Sequence, residues 1–185
     1  IVEDELENAC SKWKPDSAVA IAMDPFTGEV LAMANYPSFN PNFVQDSSPR
    51  ERRNRVITDS FEPGSLIKPL IVSGALDSGL VKEDDEFFCH NGAFKVSRSR
   101  VINDTHSYNY LSVSDIVVHS SNIGMAQLGM RMGKNRLYSY LKNFSFGEKT
   151  GIQLPGEAKG KVWPLNHWSL GSTMSVSYGY ETAVT

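Results

Sequence analysis

Val2, Leu6 and Ala9 fall on one helical stripe of the opening stretch IVEDELENACSKW, so the chain is expected to begin inside an amphipathic helix. Two short, nearly continuous apolar runs follow, SAVAIAM (17–23) and EVLAMA (29–34), separated by the turn-forming DPFTG. That pattern predicts a β-hairpin. The scarcity of polar positions in either run places both strands inside a sheet covered by helices. The next segment, NYPSFNPNFVQDSSPRERRNR, is polar and loop-like, and Arg50, Arg52, Arg53 and Arg55 read as a solvated cationic cluster. Helical spacing returns at 65–79 through Leu66, Leu70, Ile71 and Leu76, ending near Gly79. EFFCHNGAFKV reads as short strands, and helices are expected over 112–120, 122–133 and 135–144, with Met125, Met130 and Met132 as core filler. From Gly147 onward glycine and proline dominate, which predicts loop.

Composition adds mainly exclusions. The 185 residues suit one domain with a real core, and a net charge of −3 carries no nucleic-acid footprint. The longest apolar stretches are far shorter than the ~20 residues a bilayer span requires. Cys10 and Cys89 are too few for a disulfide framework or a metal site and read as small buried hydrophobes. With no signal peptide and a helix already under way at residue 1, the true N-terminus is expected to lie upstream.

The candidate chemistry lies in DSFEPGSLIKPLIV (59–72), where Ser65 and Lys68 are one helical turn apart, just after Pro63-Gly64. A lysine amine there can take the proton of a serine nucleophile if burial lowers its pKa. A helix start also aims backbone N–H groups at an oxyanion forming on the target of Ser65. Spacing alone is weak evidence, because Ser-x-x-Lys also occurs at Ser11–Lys14 and Ser139–Lys142. Ser-x-Asn occurs at Ser38–Asn40, Ser107–Asn109 and Ser120–Asn122. Context selects Ser65–Lys68, which follows a turn and opens an apolar helix. It likewise selects Ser120–Asn122, which joins two helices and would hold its side chains rigidly.

Taken together, AIAMDPFTGEVLAMANYPSFNPN, NRVITDSFEPGS, FEPGSLIKP, HSSNIG and GEKTGIQLPGE resemble the transpeptidase domain of class B penicillin-binding proteins, over almost the whole chain and in family order. The Ser-x-x-Lys element is the one shared by penicillin-binding proteins and class A β-lactamases. The resemblance implies an α/β fold of the α+β type, the penicillin-binding-protein and β-lactamase-like one, with helices packed on an antiparallel sheet. It implies a peptidoglycan D,D-transpeptidase of cell division or cell shape, acylated by D-Ala-D-Ala stem peptides or by β-lactam antibiotics. Ser65 would be the nucleophile and Lys68 its base. Ser120 would relay a proton to the leaving amine, while Asn122 would bind the substrate amide and steady Lys68. No cofactor or metal is implied. The family further implies a membrane anchor upstream, an extracytoplasmic location, and partners among glycosyltransferase, divisome or elongasome proteins.

The family's third motif, Lys-Thr/Ser-Gly on a strand, has a counterpart in Lys149–Gly151, but the flanking glycines and Pro155 make a sheet strand there unlikely, and Lys149 reads as incidental. Residues 1–185 are therefore expected to be a partial transpeptidase domain, with the third motif and the remaining sheet strands beyond Thr185. Such a piece would leave the 17–34 hairpin with an unpaired edge and would be weakly active or inactive alone. Leu66 and Ile67, between nucleophile and base, are expected to keep Lys68 dry, and His106 reads as a surface loop residue. Two other readings stand beside the main one. A β-lactamase or β-lactam sensor would need a residue to activate water, and the candidate Glu157 lies in a Gly-Pro loop. A non-catalytic cell-wall scaffold would have no use for all four motif residues.

Overall fold

The computed structural model describes all 185 residues, which form two compact units. Residues 1–60 with 151–158 and Thr185 make the first, and residues 61–150 with 159–184 the second. Helices combine with four antiparallel ladders of two strands each.

In the first unit, helix α1 (Val2–Trp13) lies on a hairpin of β1 (Ala18–Met23) and β2 (Val30–Tyr36). The register pairs Ala20 with Ala34 and Ala22 with Ala32, so small side chains line one face, and buried Ala34 and Cys10 mark the tight contact with α1. Burial along β1 alternates, with Val19, Ile21 and Met23 exposed. The expectation of strands inside a helix-covered sheet holds only in part: α1 packs closely on the small-residue face, while Val19, Ile21 and Met23 stay exposed. Short helix α2 (Arg55–Thr58), unforeseen in the polar segment, is tied to β2 through Asn35, whose Oδ1 accepts from Arg55 N (2.7 Å) and Val56 N (3.3 Å). The arginines are not simply solvated. Arg50 donates to Asp16 O (2.7 Å), Arg52 to Ser47 O (2.5 Å) and Arg55 to Arg50 O (2.9 Å), while Arg53 pairs with Asp59 (2.6 Å). A loop without a ladder of its own has carbonyls to satisfy, and the guanidinium groups do so.

The second unit holds the main core. A 3₁₀ turn, Gly64–Ile67, leads into α3 (Lys68–Asp77), so the helix expected from residue 65 begins as a tighter turn and Ser65 serves no capping bond. Strands β3 (Glu86–Phe88), β4 (Ala93–Lys95), β5 (Val101–Asn103) and β6 (Tyr110–Ser112) are three residues each. Helix α4 (Val113–Val118) starts with a Ser112–Asp115 capping box. Helix α5 (Asn122–Asn143) unites the two expected helices; they meet at Gly133, whose φ of 74° interrupts the helical dihedrals. Ile71, Ile116, Ile123, Met125, Leu128, Leu137 and Leu141 are fully buried, which places α5 along the core.

One element overturns the loop expectation after residue 147. Helix α6 (Leu170–Ser177) runs between β7 (Lys161–Val162) and β8 (Thr182–Ala183) and packs on α5. Its sequence, LGSTMSVS, has no amphipathic stripe because Thr173 to Ser177 are all buried. Small residues allow this close approach: a Cβ on Gly129 of α5 would lie 2.6 Å from Ser177 Cβ.

Candidate active site

Lys68, in the first turn of α3, is 2% exposed, one of the most buried large side chains of the molecule. Its Nζ lies 2.6 Å from Ser120 O, 2.7 Å from Asn122 Oδ1 and 3.0 Å from Ser120 Oγ. Two of these partners can only accept. A neutral amine can meet them with its two N–H bonds and turn its lone pair to the Ser120 hydroxyl; an ammonium would donate three times. Burial pushes Lys68 down to about 8, against an opposing pull from the Asp104 carboxylate. The amine is therefore far readier than an ordinary lysine to hold an open lone pair near neutral pH.

The other side of the site is a joint between helices. At the end of α4, Ser120 N donates to Val117 O (3.1 Å) and Ser121 N to Ile116 O (3.0 Å), a Schellman closure. Its left-handed position, normally glycine's, is occupied by Ser120 with φ 53°. This conformation turns both the carbonyl and the hydroxyl of Ser120 to Lys68. Ser121 then caps α5 by accepting from Gly124 N (2.9 Å), and Asn122 is the first helical residue.

Ser65 is exposed on the 3₁₀ turn, and its hydroxyl makes no hydrogen bond, to Lys68 or elsewhere. Its carbonyl accepts from Lys68 N, while its own N–H takes no part in the bonds of the turn and is free to serve an oxyanion. Catalytic hydrogen bonds are often loose before substrate arrives. The turn itself is firmly held. Gly64 N donates to Gly179 O (3.1 Å), Phe61 and Val184 exchange two backbone bonds of 2.9 Å, and Glu62 accepts from Glu181 N (2.8 Å).

Three of the four selected residues thus share one hydrogen-bonded cluster, and Ser65 sits three residues from its centre. The rejected copies do other work. Lys142 pairs with Glu148 (2.6 Å), and Ser107 donates to Asn91 O (2.9 Å). Lys149 is exposed in the loop after α5, not on a strand. One expectation needs correction: Leu66 is 82% exposed, so only Ile67, at 2%, helps to keep Lys68 dry. On the 3₁₀ turn successive residues point about 120° apart, and it is Ile67, not Leu66, that faces the core. His106 is exposed, its ring edge-on to Tyr108, which stacks on His119. Sequence reasoning missed Asp104, Arg100 and Gly179. Asp104 receives Ser121 Oγ (2.6 Å) and Asn122 N (2.6 Å), and Arg100 reaches Ser175 Oγ (2.6 Å) and Tyr178 OH (3.0 Å). These partners are 17 to 78 positions away in the chain, and no local spacing signals them.

A buried lysine gripped by Ser-x-Asn beside an exposed serine, on an α+β scaffold, is an arrangement suited to serine acyl transfer. Residues 18–185 match the family model of the penicillin binding protein transpeptidase domain, and the chain belongs to that family. It is 36% identical over 185 residues to the peptidoglycan D,D-transpeptidase FtsI of Escherichia coli (strain K12), covering 100% of this chain and 31% of that protein. It is 36% identical over 179 residues to the probable peptidoglycan D,D-transpeptidase PbpC of Pseudomonas aeruginosa, covering 97% of this chain and 32% of that one. Its fold matches the apo structure of the TP domain from Burkholderia pseudomallei penicillin-binding protein 3 with a TM-score of 0.85 at 32% identity, covering 98% of this chain and 50% of that chain. The chain therefore spans about a third of the length of these curated relatives.

Proposed function

We propose that this chain carries the acylation centre of a peptidoglycan D,D-transpeptidase. Ser65 Oγ attacks the carbonyl of the penultimate D-Ala of a stem peptide as neutral Lys68 takes its proton, and the free Ser65 N–H receives the oxyanion. The C–N bond breaks, the terminal D-Ala leaves with a proton delivered through Ser120, and an ester to Ser65 remains. The amine of a second stem peptide then attacks that ester, forming the cross-link and returning the proton to Ser65. Asn122 holds the amide of the substrate and keeps Lys68 aimed at Ser120. A β-lactam enters the same first step and stays, because its opened ring keeps the leaving amine attached. The observation that carries this reading is the triple contact of buried Lys68 with Ser120 and Asn122.

We infer that this work is done in the cell wall, on the extracytoplasmic side of the membrane, beside a glycosyltransferase of division or elongation; the likeness to peptidoglycan D,D-transpeptidases supports the cell-wall setting. Within these residues no helix is long and apolar enough to cross a membrane. The test is to incubate the complete natural protein with a D-Ala-D-Ala pentapeptide and an amine acceptor. Release of D-Ala with formation of the cross-linked peptide supports the reading. Hydrolysis of penicillin with rapid turnover and no cross-linking contradicts it.

A further inference from the structure

We propose that Asp104 is the positioning residue of this site: its carboxylate clamps the turn that presents Ser120 and Asn122 to Lys68, and its charge sets the pH at which the site becomes active. The inference rests on the reading of Lys68 as general base. Asp104 follows β5 directly and is anchored by its own N–H, which donates to Gly92 O (3.1 Å). One carboxylate oxygen accepts from both Asn122 N (2.6 Å) and Ile123 N (3.1 Å), and the other from Ser121 Oγ (2.6 Å). With Gly124 N bound to Ser121, the first three amides of α5 are all satisfied, and a negative charge sits at the positive end of the helix. The neighbouring Asn103 O accepts from Asn122 Nδ2 (3.3 Å). That bond fixes which way the Asn122 amide faces and leaves Oδ1 for Lys68. One short segment, Asn103-Asp104, thus orients everything that grips the amine.

A serine or asparagine would suffice as a plain helix cap. A carboxylate adds a charge that acts on Lys68. The remaining groups around the amine are uncharged: Ser120, Ser121 and Asn122 carry no charge, and burial pushes the Cys89 thiol up, so it stays protonated. Asp104 favours the ammonium form of Lys68 and so opposes the effect of burial. Neutralising Asp104 would therefore free the lone pair at lower pH.

The experiment is the rate of acylation by penicillin between pH 5 and pH 10 in the complete natural protein and in Asp104→Asn, which keeps an acceptor for the helix amides. The acidic limb of the variant is expected about 0.5–1 pH unit lower than that of the parent. Its alkaline plateau should stay above that of Asp104→Ala, which loses the clamp. A limb at the same pH in parent and Asp104→Asn overturns the proposal, since a purely structural cap would leave it in place. Absence of acylation at Ser65 in the parent at every pH overturns the transpeptidase reading instead. If Asp104→Asn does not fold, Asp104→Ser carries the same test of the limb.

Discussion

Ser120 shows what the site costs at the level of one residue. The Schellman closure of α4 favours glycine at its left-handed position, and a side chain there costs on the order of 1 kcal/mol. The same conformation delivers the hydroxyl to Lys68. Ser120→Gly is expected to leave the melting temperature unchanged or raised while slowing acylation about 10²-fold or more. A variant that melts lower and still acylates at the parental rate would contradict this. Lys68 carries a second cost. Its folded pKa of about 8 lies below the ordinary 10.5, so folding disfavours its charged form. Below pH 8 both folded and unfolded chains hold the proton, and the burial penalty is present in full. Between about 8 and 10.5 only the unfolded chain still holds it, so this group's contribution to stability rises with pH across that window. Lys68→Met should remove that rise in a denaturant series and slow acylation roughly 10²–10⁴-fold.

Between elements, the decisive contact joins the turn of Ser65 to the segment after α6. Gly179 has φ 97°, and a Cβ there would run into the carbonyl oxygen of Gly64. Gly179→Ala is expected to destabilise the protein by about 1–3 kcal/mol. It should also displace the turn of Ser65, so that acylation falls while substrate recognition elsewhere is retained; an unchanged rate and melt would refute the contact's importance. Arg100 links the β4–β5 hairpin to α6 in the same unit through Ser175 and Tyr178. These elements also mark how far the sequence was legible. Helices α1, α3, α4 and α5 announced themselves through periodicity and serine caps, and the β1–β2 hairpin through its turn residues. Helix α6 did not, because a helix buried all round by small residues has no polar face to set its period. Its capping box, Ser169 with Ser172, was the one local signal, and it was hidden in a serine-rich stretch.

At the scale of the molecule, the four motif residues stood out because they lie at helix starts and helix joints, where sequence context is distinctive. Their supports were not, because Asp104, Arg100 and Gly179 act on residues distant in the chain. Everything proposed for the function turns on whether the exposed hydroxyl beside the buried amine is the group that reacts. The direct measurement is tandem mass spectrometry of the complete natural protein after brief exposure to penicillin, with Ser65→Ala in parallel. A stable penicilloyl adduct on the peptide containing Ser65, absent from a normally folded Ser65→Ala, is the predicted result. An adduct on another residue, or one that survives in Ser65→Ala, would contradict the account.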